Sequence, residues 1–525
     1  MPNYYSPGVY VEEVESGSKP IEGVATSVAA FVGFARKGPF NKPTLVTNWT
    51  QFTESFGDFI EGSYLAHSVF GYFANGGSIA YIVRVGEEAN KNNAQAALPA
   101  AANGSANGGK SKDKVEAFRV VALDAGDGGN QLEVEIDKAT HGSPDDTFKI
   151  VVKKKDAPEP VEVFDDLTLK SGVQNAVKVV NALSNTIQLE PLEPGVPIAA
   201  MPALGPVTLA GGVAADGHPI TKEEYVGDPA QRSGFGGLEE IDEVTMVCVP
   251  DAMAAYQEGL KNGKATFTGE DLQVVQQAMV DHCQSLGDRV AILDAPPGLK
   301  VQEMLDWRAK TNYDSKYAAL YWPWIKVSDP ATGNNIFVPP CGHMAGVWAR
   351  SDATRGVHKA PANEVVRGTI ALETKITKAE HDLLNPQGIN CIREFAGLGI
   401  RVWGARTISS DASWRYLNVR RLFNYIEESV MEGTQWVVFE PNDMDLWARV
   451  RRTINAFLLG IWRDGALFGA TPEEAFYVKC DAENNPPESV DAGRLICEIG
   501  IAPVKPAEFV VFRIAQYSGG ASVSE

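Results

Sequence analysis

Hydrophobic and polar positions repeat with several different periods along the chain, and the changes of period divide it into regions. A continuous apolar run at 27–35 ("SVAAFVGFA") predicts a buried strand, and 62–76 ("GSYLAHSVFGYFANG") repeats apolar residues at helical spacing. The run at 78–85 ("SIAYIVRV") predicts a second buried strand. Strands and helices that alternate in this way are typical of an α/β fold.

The same alternation returns in the middle of the chain. Apolar strand patterns at 243–251 ("EVTMVCVPD"), 289–296 ("RVAILDAP") and 317–325 ("YAALYWPWI") are separated by helical patterns at 270–286 and 301–309. A βαβ series of this kind predicts a mostly parallel sheet.

The region between these two parts has a different composition. Residues 88–114 are rich in Ala, Asn, Gly and Lys and have no periodicity, which predicts a flexible linker. Several segments of 115–210 alternate with a period of two, which predicts a mostly-β insertion domain. Residues 211–344 then form the predicted α/β middle domain.

Both ends of the chain read as strands without an evident partner. At 4–14 ("YYSPGVYVEEV") a turn leads into alternating apolar residues, and 507–517 ("AEFVVFRIAQY") is apolar on both faces. An unpaired strand promotes aggregation unless it pairs with another chain. We therefore expect both ends to pair with another chain, through these residues: Tyr5, Val9, Tyr10, Val11, Val14, Phe509, Val510, Val511, Phe512 and Ile514.

Composition narrows the possible partners and cofactors. The 525 residues carry a formal net charge of −20, which disfavours binding to nucleic acid or to anionic membrane surfaces. No apolar run approaches the length of a membrane span, so direct membrane insertion is not expected. The six cysteines form no C-x-x-C pair and predict reduced thiols, and the histidines lack ligand spacing. We expect no metal and no cofactor.

One motif matches a phosphate-binding loop. Residues 104–111 ("GSANGGKS") satisfy G-x-x-x-x-G-K-S, which would make Lys110 part of an NTPase site. The preceding strand pattern ends near Val85 and the following residues read as a strand, whereas this motif needs a strand before it and a helix after it. A different alternative is an α/β enzyme with its site in 241–345, which would depend on Asp251 or Asp294.

Arginine and tryptophan are concentrated near the C-terminal end. Residues 391–463 hold ten Arg and no Lys, interleaved with Trp, a composition that favours interface contacts. Within it, 414–430 predicts a helix with apolar residues along one side. Residues assigned to contacts with another protein are Arg415, Arg420, Arg421, Glu427 and Glu428. An intramolecular Arg/Trp cluster is the alternative.

These stretches also carry a resemblance to a known family. The chain resembles the contractile tail sheath proteins of myophage tails and of phage-tail-like contractile injection systems. The similarity extends over 4–14, 31–57 ("FVGFARKGPFNKPTLVTNWTQFTESFG"), 384–407 ("LNPQGINCIREFAGLGIRVWGART"), 409–430 and 499–514 ("IGIAPVKPAEFVVFRI").

The resemblance implies an α/β (α+β) multidomain architecture with a split core domain that faces an inner tube. It implies an N-terminal exchange arm, a core built from both chain ends, an insertion domain that projects outward, a middle domain and a C-terminal exchange arm with tail. The N-terminal exchange arm is 1–24 and the core is 25–87 with 345–506. The linker is 88–114, the outward insertion 115–210 and the middle domain 211–344. The C-terminal exchange arm with its tail is 507–525.

It also implies a structural subunit, not an enzyme. Such proteins polymerise helically as stacked rings around an inner tube and contract to drive the tube through a target envelope. The implied partners are copies of the chain itself, the inner tube protein, and baseplate and tail-terminator or cap proteins. Assembly in the bacterial cytoplasm as part of a phage tail or phage-tail-like particle follows from the same resemblance, and one subunit does not distinguish these particles.

Overall fold

The computed structural model describes most of the chain, in ten stretches. These are 20–86, 93–101, 116–125, 127–143, 146–155, 159–192, 198, 200–211, 221–261 and 267–514. The chain divides into two compact units, one formed by Met1–Gly86 with Ile220–Glu525 and the other by Glu87–Pro219. The N-terminal exchange residues Tyr5 to Val14 and the loop motif around Lys110 lie outside the described residues.

The strands of the described chain follow in order. They are β1 (Val28–Gly33), β2 (Thr44–Val46), β3 (Ile79–Arg84), β4 (Asn93–Pro99), β5 (Glu116–Ala125), β6 (Leu132–Lys138), β7 (Phe148–Lys154), β8 (Pro160–Leu167), β9 (Ile187–Glu190), β10 (Gly205–Thr208), β11 (Met246–Cys248), β12 (Val290–Asp294), β13 (Ala318–Trp322), β14 (Ile325–Ser328), β15 (Asn335–Val338), β16 (Glu364–Val365), β17 (Thr369–Leu372), β18 (Ile389–Phe395), β19 (Gly399–Val402), β20 (Phe476–Lys479) and β21 (Glu498–Ile501).

The α-helices are interspersed among these strands. They are α1 (Trp49–Phe56), α2 (Leu65–Asn75), α3 (Ala176–Leu183), α4 (Lys222–Val226), α5 (Asp251–Lys261), α6 (Gly269–Leu286), α7 (Val301–Thr311), α8 (Cys341–Arg355), α9 (Lys378–Leu384), α10 (Leu417–Gly433), α11 (Met444–Arg463), α12 (Pro472–Ala475) and α13 (Pro487–Asp491). None of the helices in the described stretches has the length and apolar character needed to cross a bilayer.

A nine-stranded sheet organises the larger unit. Its order is β16-β19-β18-β13-β12-β11-β1-β3-β2, and every pairing from β18 through to β3 is parallel. Phe31 of β1, for example, lies between Cys248 and Ile82 of the neighbouring strands. The predicted mixed α/β fold with a mostly parallel sheet is therefore confirmed.

The same sheet corrects the predicted division into domains. Strands from 25–87 pair directly with strands from 211–344, two ranges that the sequence patterns assign to separate domains. The reason is that the strand patterns on both sides of the insertion are apolar on both faces, so each strand needs buried neighbours. Burial in one shared sheet meets that need for both ranges.

Helices cover both faces of this sheet. On one face, Phe31 and Ile82 belong to a core that includes Tyr72 of α2 and Trp348 of α8. On the other face, alternate strand residues such as Val32 pack in a second core with side chains of α6 and α7. The alternation follows from the period-two geometry of a strand, and it gives a three-layer α/β/α arrangement.

The smaller unit is mostly β. Two antiparallel sheets, β4-β5-β9 and β10-β6-β7-β8, share one core with helix α3. The predicted linker at 88–114 is wrong in part, because β4 lies within it and pairs with β5. The Ala-rich composition of this strand concealed it, since Ala and Asn are depleted in strands.

A fourth core lies at the C-terminal end of the larger unit. Helices α10 and α11 pack against each other and against the two-stranded sheet β20-β21, through residues such as Leu422, Ile454 and Leu458. Ile21, close to the start of the described chain, is buried in the same core. Residues near both ends of the described chain, such as Ile21 and Ile501, therefore belong to this part of the molecule.

Candidate functional site

The C-terminal segment, defined here as residues 509–514, exposes its apolar side chains. Phe509, Val510, Val511, Phe512 and Ile514 are between 68% and 95% exposed, and the segment forms no helix or strand within its own chain. The predicted strand at 507–517 is therefore not formed over its described part. A strand needs a hydrogen-bonded neighbour, and this chain provides none for the described residues.

An ion pair fastens the chain immediately before this segment. The carboxylate of Glu508 accepts hydrogen bonds from Nε and Nη2 of Arg406 at 2.9 and 2.6 Å. Asn385 Nδ2 donates to it at 2.8 Å and Tyr416 Oη at 3.2 Å. Burial raises the pKa of Glu508, but the hydrogen bonds from Arg406 and Asn385 outweigh burial and lower that pKa overall.

Arg406 is itself held by the large sheet. Its backbone N–H donates to Oδ1 of Asn390 at 2.7 Å, and Asn390 Nδ2 donates to the Arg406 carbonyl at 2.8 Å. Asn390 belongs to β18 and is fully buried. We call the Arg406–Glu508 pair with these supports the C-terminal anchor, because the chain is bound to the core up to Glu508 and exposed beyond it.

The N-terminal end of the described chain lies along helix α10. The Val24 N–H donates to Oγ of Ser429 at 3.1 Å. Two glycines allow this close approach, because a Cβ on Gly23 would overlap the Tyr425 hydroxyl and a Cβ on Gly433 would overlap Ile21. Small residues at both points let the backbone pack directly on the helix.

A buried ion pair holds the next few residues. Arg421 Nη1 and Nη2 donate to the Asp352 carboxylate at 2.9 and 2.5 Å, and Nη2 also donates to the Thr26 carbonyl at 2.9 Å. The Thr26 hydroxyl donates to Asp352 at 2.8 Å. Arg421 and Asp352 are nearly inaccessible to solvent. We call this the N-terminal anchor, since it fixes the point at which the chain enters β1.

These contacts correct the roles predicted for two arginines. Arg421 was assigned to contacts with another protein, but it is buried inside its own chain. Arg420 is also buried, where it donates to Asn424 at 2.6 Å and to Glu427 at 2.7 Å and lies over the ring of Trp414. Both face inward because they lie three and four positions after Leu417, on the apolar side of α10. The intramolecular alternative therefore holds for them.

The remaining predicted contact residues are accessible. Arg415 and Glu427 are exposed, and Glu428 is half-buried. Burial and the nearby carboxylates of Asp288 and Glu432 raise the pKa of Glu428. These three side chains are accessible to another protein, although Glu427 is also bound by Arg420. Arg420 and Arg421 are not accessible.

The sheet β20-β21 is unusually small. It has two antiparallel strands, and within the described ranges no other strand pairs with either edge. Its apolar face, which includes Phe476, Val478 and Ile499, packs on the fourth core but stays partly exposed. Two-stranded sheets are marginally stable by themselves, and open edges present unpaired N–H and C=O groups.

The two aspartates of the enzyme alternative have internal partners. Asp251 accepts hydrogen bonds from the N–H groups of Phe34, Tyr64 and Leu65 and from Ser63 Oγ, and burial raises its pKa to about 6.

Asp294 accepts from the Cys341 N–H at 2.9 Å, and burial raises its pKa to about 7. Both carboxylates accept from backbone N–H groups at the ends of strands or the starts of helices. Contacts of this kind give the two aspartates a structural role. Within the described ranges, no group of His, Cys, Asp or Glu is arranged to hold a metal ion.

Two family models match the chain. The phage tail sheath protein central domain matches residues 252–408, and the phage tail sheath C-terminal domain matches residues 409–516. The two matches are contiguous and together cover half of the chain. They include both arginines of the anchors and the C-terminal segment.

Curated relatives carry the same description. A tail sheath protein of Burkholderia phage BcepMu is 24% identical over 530 residues, which span 97% of this chain and 96% of that protein. A tail sheath protein of Vibrio phage KVP40 is 25% identical over 276 residues, 48% of this chain, and the match spans only 40% of the KVP40 protein.

Solved structures show a similar fold. The sheath complex of the extracellular contractile injection system PVC, in its contracted state, has a TM-score of 0.57 and 22% identity, covering 98% of this chain and 99% of that one. The helical sheath of the anti-feeding prophage, also contracted, has a TM-score of 0.58 and 22% identity, with 97% and 99% covered.

Proposed function

Because the chain belongs to the phage tail sheath protein family, we propose that it is a structural subunit of a contractile sheath. In this role it polymerises helically around an inner tube and contracts to drive the tube through a target envelope. The observation that carries the proposal is the C-terminal segment, whose apolar side chains are uncovered in the single chain. A second copy of the chain is the partner that would cover it.

Strand exchange is the proposed form of this contact. The C-terminal segment of one subunit adds to an open edge of the β20-β21 sheet of another, as β-strand addition does in other complexes. The length of the segment suits these short strands, and its apolar residues would complete the partly exposed face of the sheet. Head-to-tail donation of this kind does not close on itself and propagates as a helical polymer.

The net free energy of binding one exchanged arm is small, so the polymer depends on many such contacts. Each buried apolar side chain contributes about 1.5–3 kcal/mol and each backbone hydrogen bond about 1 kcal/mol. Ordering the segment costs about 1–2 kcal/mol per residue, which offsets most of that gain. The N-terminal arm, residues 1–24, supplies a second link, and each bound arm raises the effective concentration of the others.

The two anchors connect the exchanged arms to the folded core. A load on an exchanged arm reaches the core through Arg406–Glu508 at one end and Arg421–Asp352 at the other. We infer that the core domains turn and repack during contraction while the exchanged strands remain paired and act as hinges. Arg415, Glu427 and Glu428 are the proposed contacts to a neighbouring subunit or to the inner tube.

The remaining partners follow from the family. The part of the larger unit that carries both ends of the described chain faces the inner tube, and the insertion at 115–210 projects outward. The ends of the polymer bind a baseplate and a tail-terminator or cap protein. The subunit is assembled in the bacterial cytoplasm and performs no catalysis.

Electron microscopy of purified protein tests the proposal. We expect the full chain to form tubes or ring stacks, and a chain lacking residues 1–20 or ending at Glu508 to form none. A chain ending at Ile514 is the control, because it removes the last 11 of the same 17 residues but keeps the C-terminal segment. Tubes from the chain ending at Glu508 would contradict the role of the segment, and a full chain that stays monomeric with its tube protein present would contradict polymerisation.

A further inference from the structure

Two cysteines that are remote in the sequence lie opposite each other across the β20-β21 sheet. The register pairs Phe476 with Ile501 and Lys479 with Glu498, without a bulge. Continued by one residue beyond the ends of both strands, this register brings Cys480 opposite Cys497. The cysteines therefore occupy facing positions on adjacent antiparallel segments of the same chain.

The hydrogen-bond pattern places this pair among the closer ones. The Ala502 N–H donates to the Ala475 carbonyl at 2.8 Å, which makes that pair a hydrogen-bonded one in the same register. Facing pairs alternate along an antiparallel ladder, so Cys480 and Cys497 fall on a non-hydrogen-bonded pair, with Cα atoms about 4.5 Å apart. The Cys480 carbonyl accepts from Arg451 Nη1 at 2.9 Å instead. A disulfide requires a Cα separation of about 4.4–6.8 Å, so the pair fits.

The side chains also meet. Each thiol interacts with the other and affects its pKa. Burial is the main cause that raises the pKa of Cys497 to about 12, and the neighbouring Cys480 is the second cause. Burial also raises the pKa of Cys480. Cys480 is fully buried and Cys497 is partly exposed, so a reagent can reach the second thiol. A raised pKa leaves little thiolate at neutral pH, so exchange with an oxidant is slow there and becomes faster as the pH rises.

We propose that Cys480 and Cys497 are a redox-sensitive pair that closes to an intrachain disulfide when the protein meets a disulfide-class oxidant. The Cys497 thiolate attacks one sulfur of the oxidant and releases one thiol, and the Cys480 thiolate then attacks the mixed disulfide and releases the second. The two protein thiols give up two protons and two electrons, and the oxidant is reduced to two thiols.

The disulfide would join the two strands at one end of a sheet that has no third strand among the described residues. It would also enclose residues 481–496, which contain α13. By holding the two strands together, the disulfide would also stabilise the sheet as the acceptor of an exchanged arm. This consequence rests on the function proposed above. The formation of the bond does not, because both thiols belong to one chain.

A second close pair provides an internal control. Cys248 of β11 and Cys341 of α8 also interact, but both are fully buried in the core between the large sheet and its helices. Access to an oxidant therefore differs between the two pairs, and only the pair containing Cys497 should react in the folded protein.

The test uses the full chain, folded, treated with oxidised glutathione at mildly alkaline pH, blocked with N-ethylmaleimide and digested with trypsin. Cleavage after Lys479 and Arg494 separates the two cysteines, so the disulfide appears as a linked pair of peptides beginning at Cys480 and Leu495. We expect this link, its loss on reduction, its absence from Cys497→Ser, a melting temperature raised by several degrees on oxidation, and unreacted Cys248 and Cys341.

Recovery of Cys480 and Cys497 as alkylated thiols after oxidation, or of Cys497 linked only to glutathione or to another chain, would overturn the proposal. The assay is run on the soluble protein before assembly. A failure to polymerise therefore leaves the result readable, and a missing disulfide says nothing against the sheath role.

Discussion

Arg406 and Glu508 are 102 residues apart in the sequence and joined by two hydrogen bonds, of 2.9 and 2.6 Å. The pair marks the boundary between the folded body and a chain end that exposes apolar side chains. Arg421 and Asp352 form the corresponding pair at the other end, where the Thr26 carbonyl is bound. Thr26 and Glu508, near the two ends of the described chain, are thus each fixed to the core by one buried arginine.

Replacing Glu508 should free the C-terminal segment. In Glu508→Gln, the Arg406 guanidinium stays largely buried without a charged partner, and we expect the free energy of unfolding to fall by roughly 1–3 kcal/mol. Urea unfolding measures this loss. Glu473→Gln, which changes an exposed side chain, is the matched control and should stay within about 0.5 kcal/mol. An equally small loss in both variants would show that the ion pair does not hold the segment.

Two arginines of the same region should behave differently. Arg421→Ala leaves the buried Asp352 carboxylate without its cationic partner, so we expect a loss of roughly 3–5 kcal/mol in the free energy of unfolding. Arg415→Ala changes an exposed side chain and should cost less than about 0.5 kcal/mol while weakening assembly. Calorimetry and sedimentation together separate the two effects. A stable Arg421→Ala chain would refute the internal role assigned to this arginine.

Charges placed on the C-terminal segment should block assembly without unfolding the subunit. Val511 and Phe512 are highly exposed in the single chain, so Val511→Asp with Phe512→Asp should change the free energy of unfolding by less than about 0.5 kcal/mol. Burying those carboxylates in a neighbouring subunit would cost far more, and tubes should not form. Val173→Asp, at another highly exposed apolar position, is the control and should assemble. If the doubly charged chain formed tubes, the C-terminal segment would not be part of the interface between subunits.

Asp294 should make stability depend on pH. Burial raises its pKa to about 7, above the usual value of about 3.9, so the native state favours the neutral carboxyl. The stabilising contribution is complete below about pH 4 and is lost as the pH rises through 7, at a cost on the order of 2–4 kcal/mol. Asp294→Asn cannot ionise, and its stability should be flatter over this window. Asp306→Asn, at an exposed helix position, is the control, and its free energy of unfolding should change with pH as in the wild type. The same pH dependence in Asp294→Asn would contradict the prediction.

The sheet strands were predictable because their signal is local. β1 and β12 are short runs in which every residue is apolar or buried, and the helices between the parallel strands repeat apolar residues at their own period. The parallel arrangement follows from that alternation alone. Which strands share one sheet does not, because the insertion of 87–219 separates strands that pair in space.

The anchors and the thiol pair were not predictable in this way. Arg406 was one of ten similar arginines, and no spacing rule connects it with Glu508. The composition of 391–463 favours interface contacts but does not show which arginines face inward, and the spacing of Arg421 from Leu417 is that of the buried face. Cys480 and Cys497 become neighbours only through the register of a two-stranded sheet that the sequence patterns do not reveal.

A helical reconstruction of the assembled polymer, at a resolution that traces residues 505–514, tests the central claim most directly. The account predicts that 509–514 of each subunit forms a strand hydrogen-bonded to the β20-β21 sheet of another subunit, with Arg406 and Glu508 still paired. A polymer in which this segment folds back on its own chain, or lies unpaired between subunits, would contradict it.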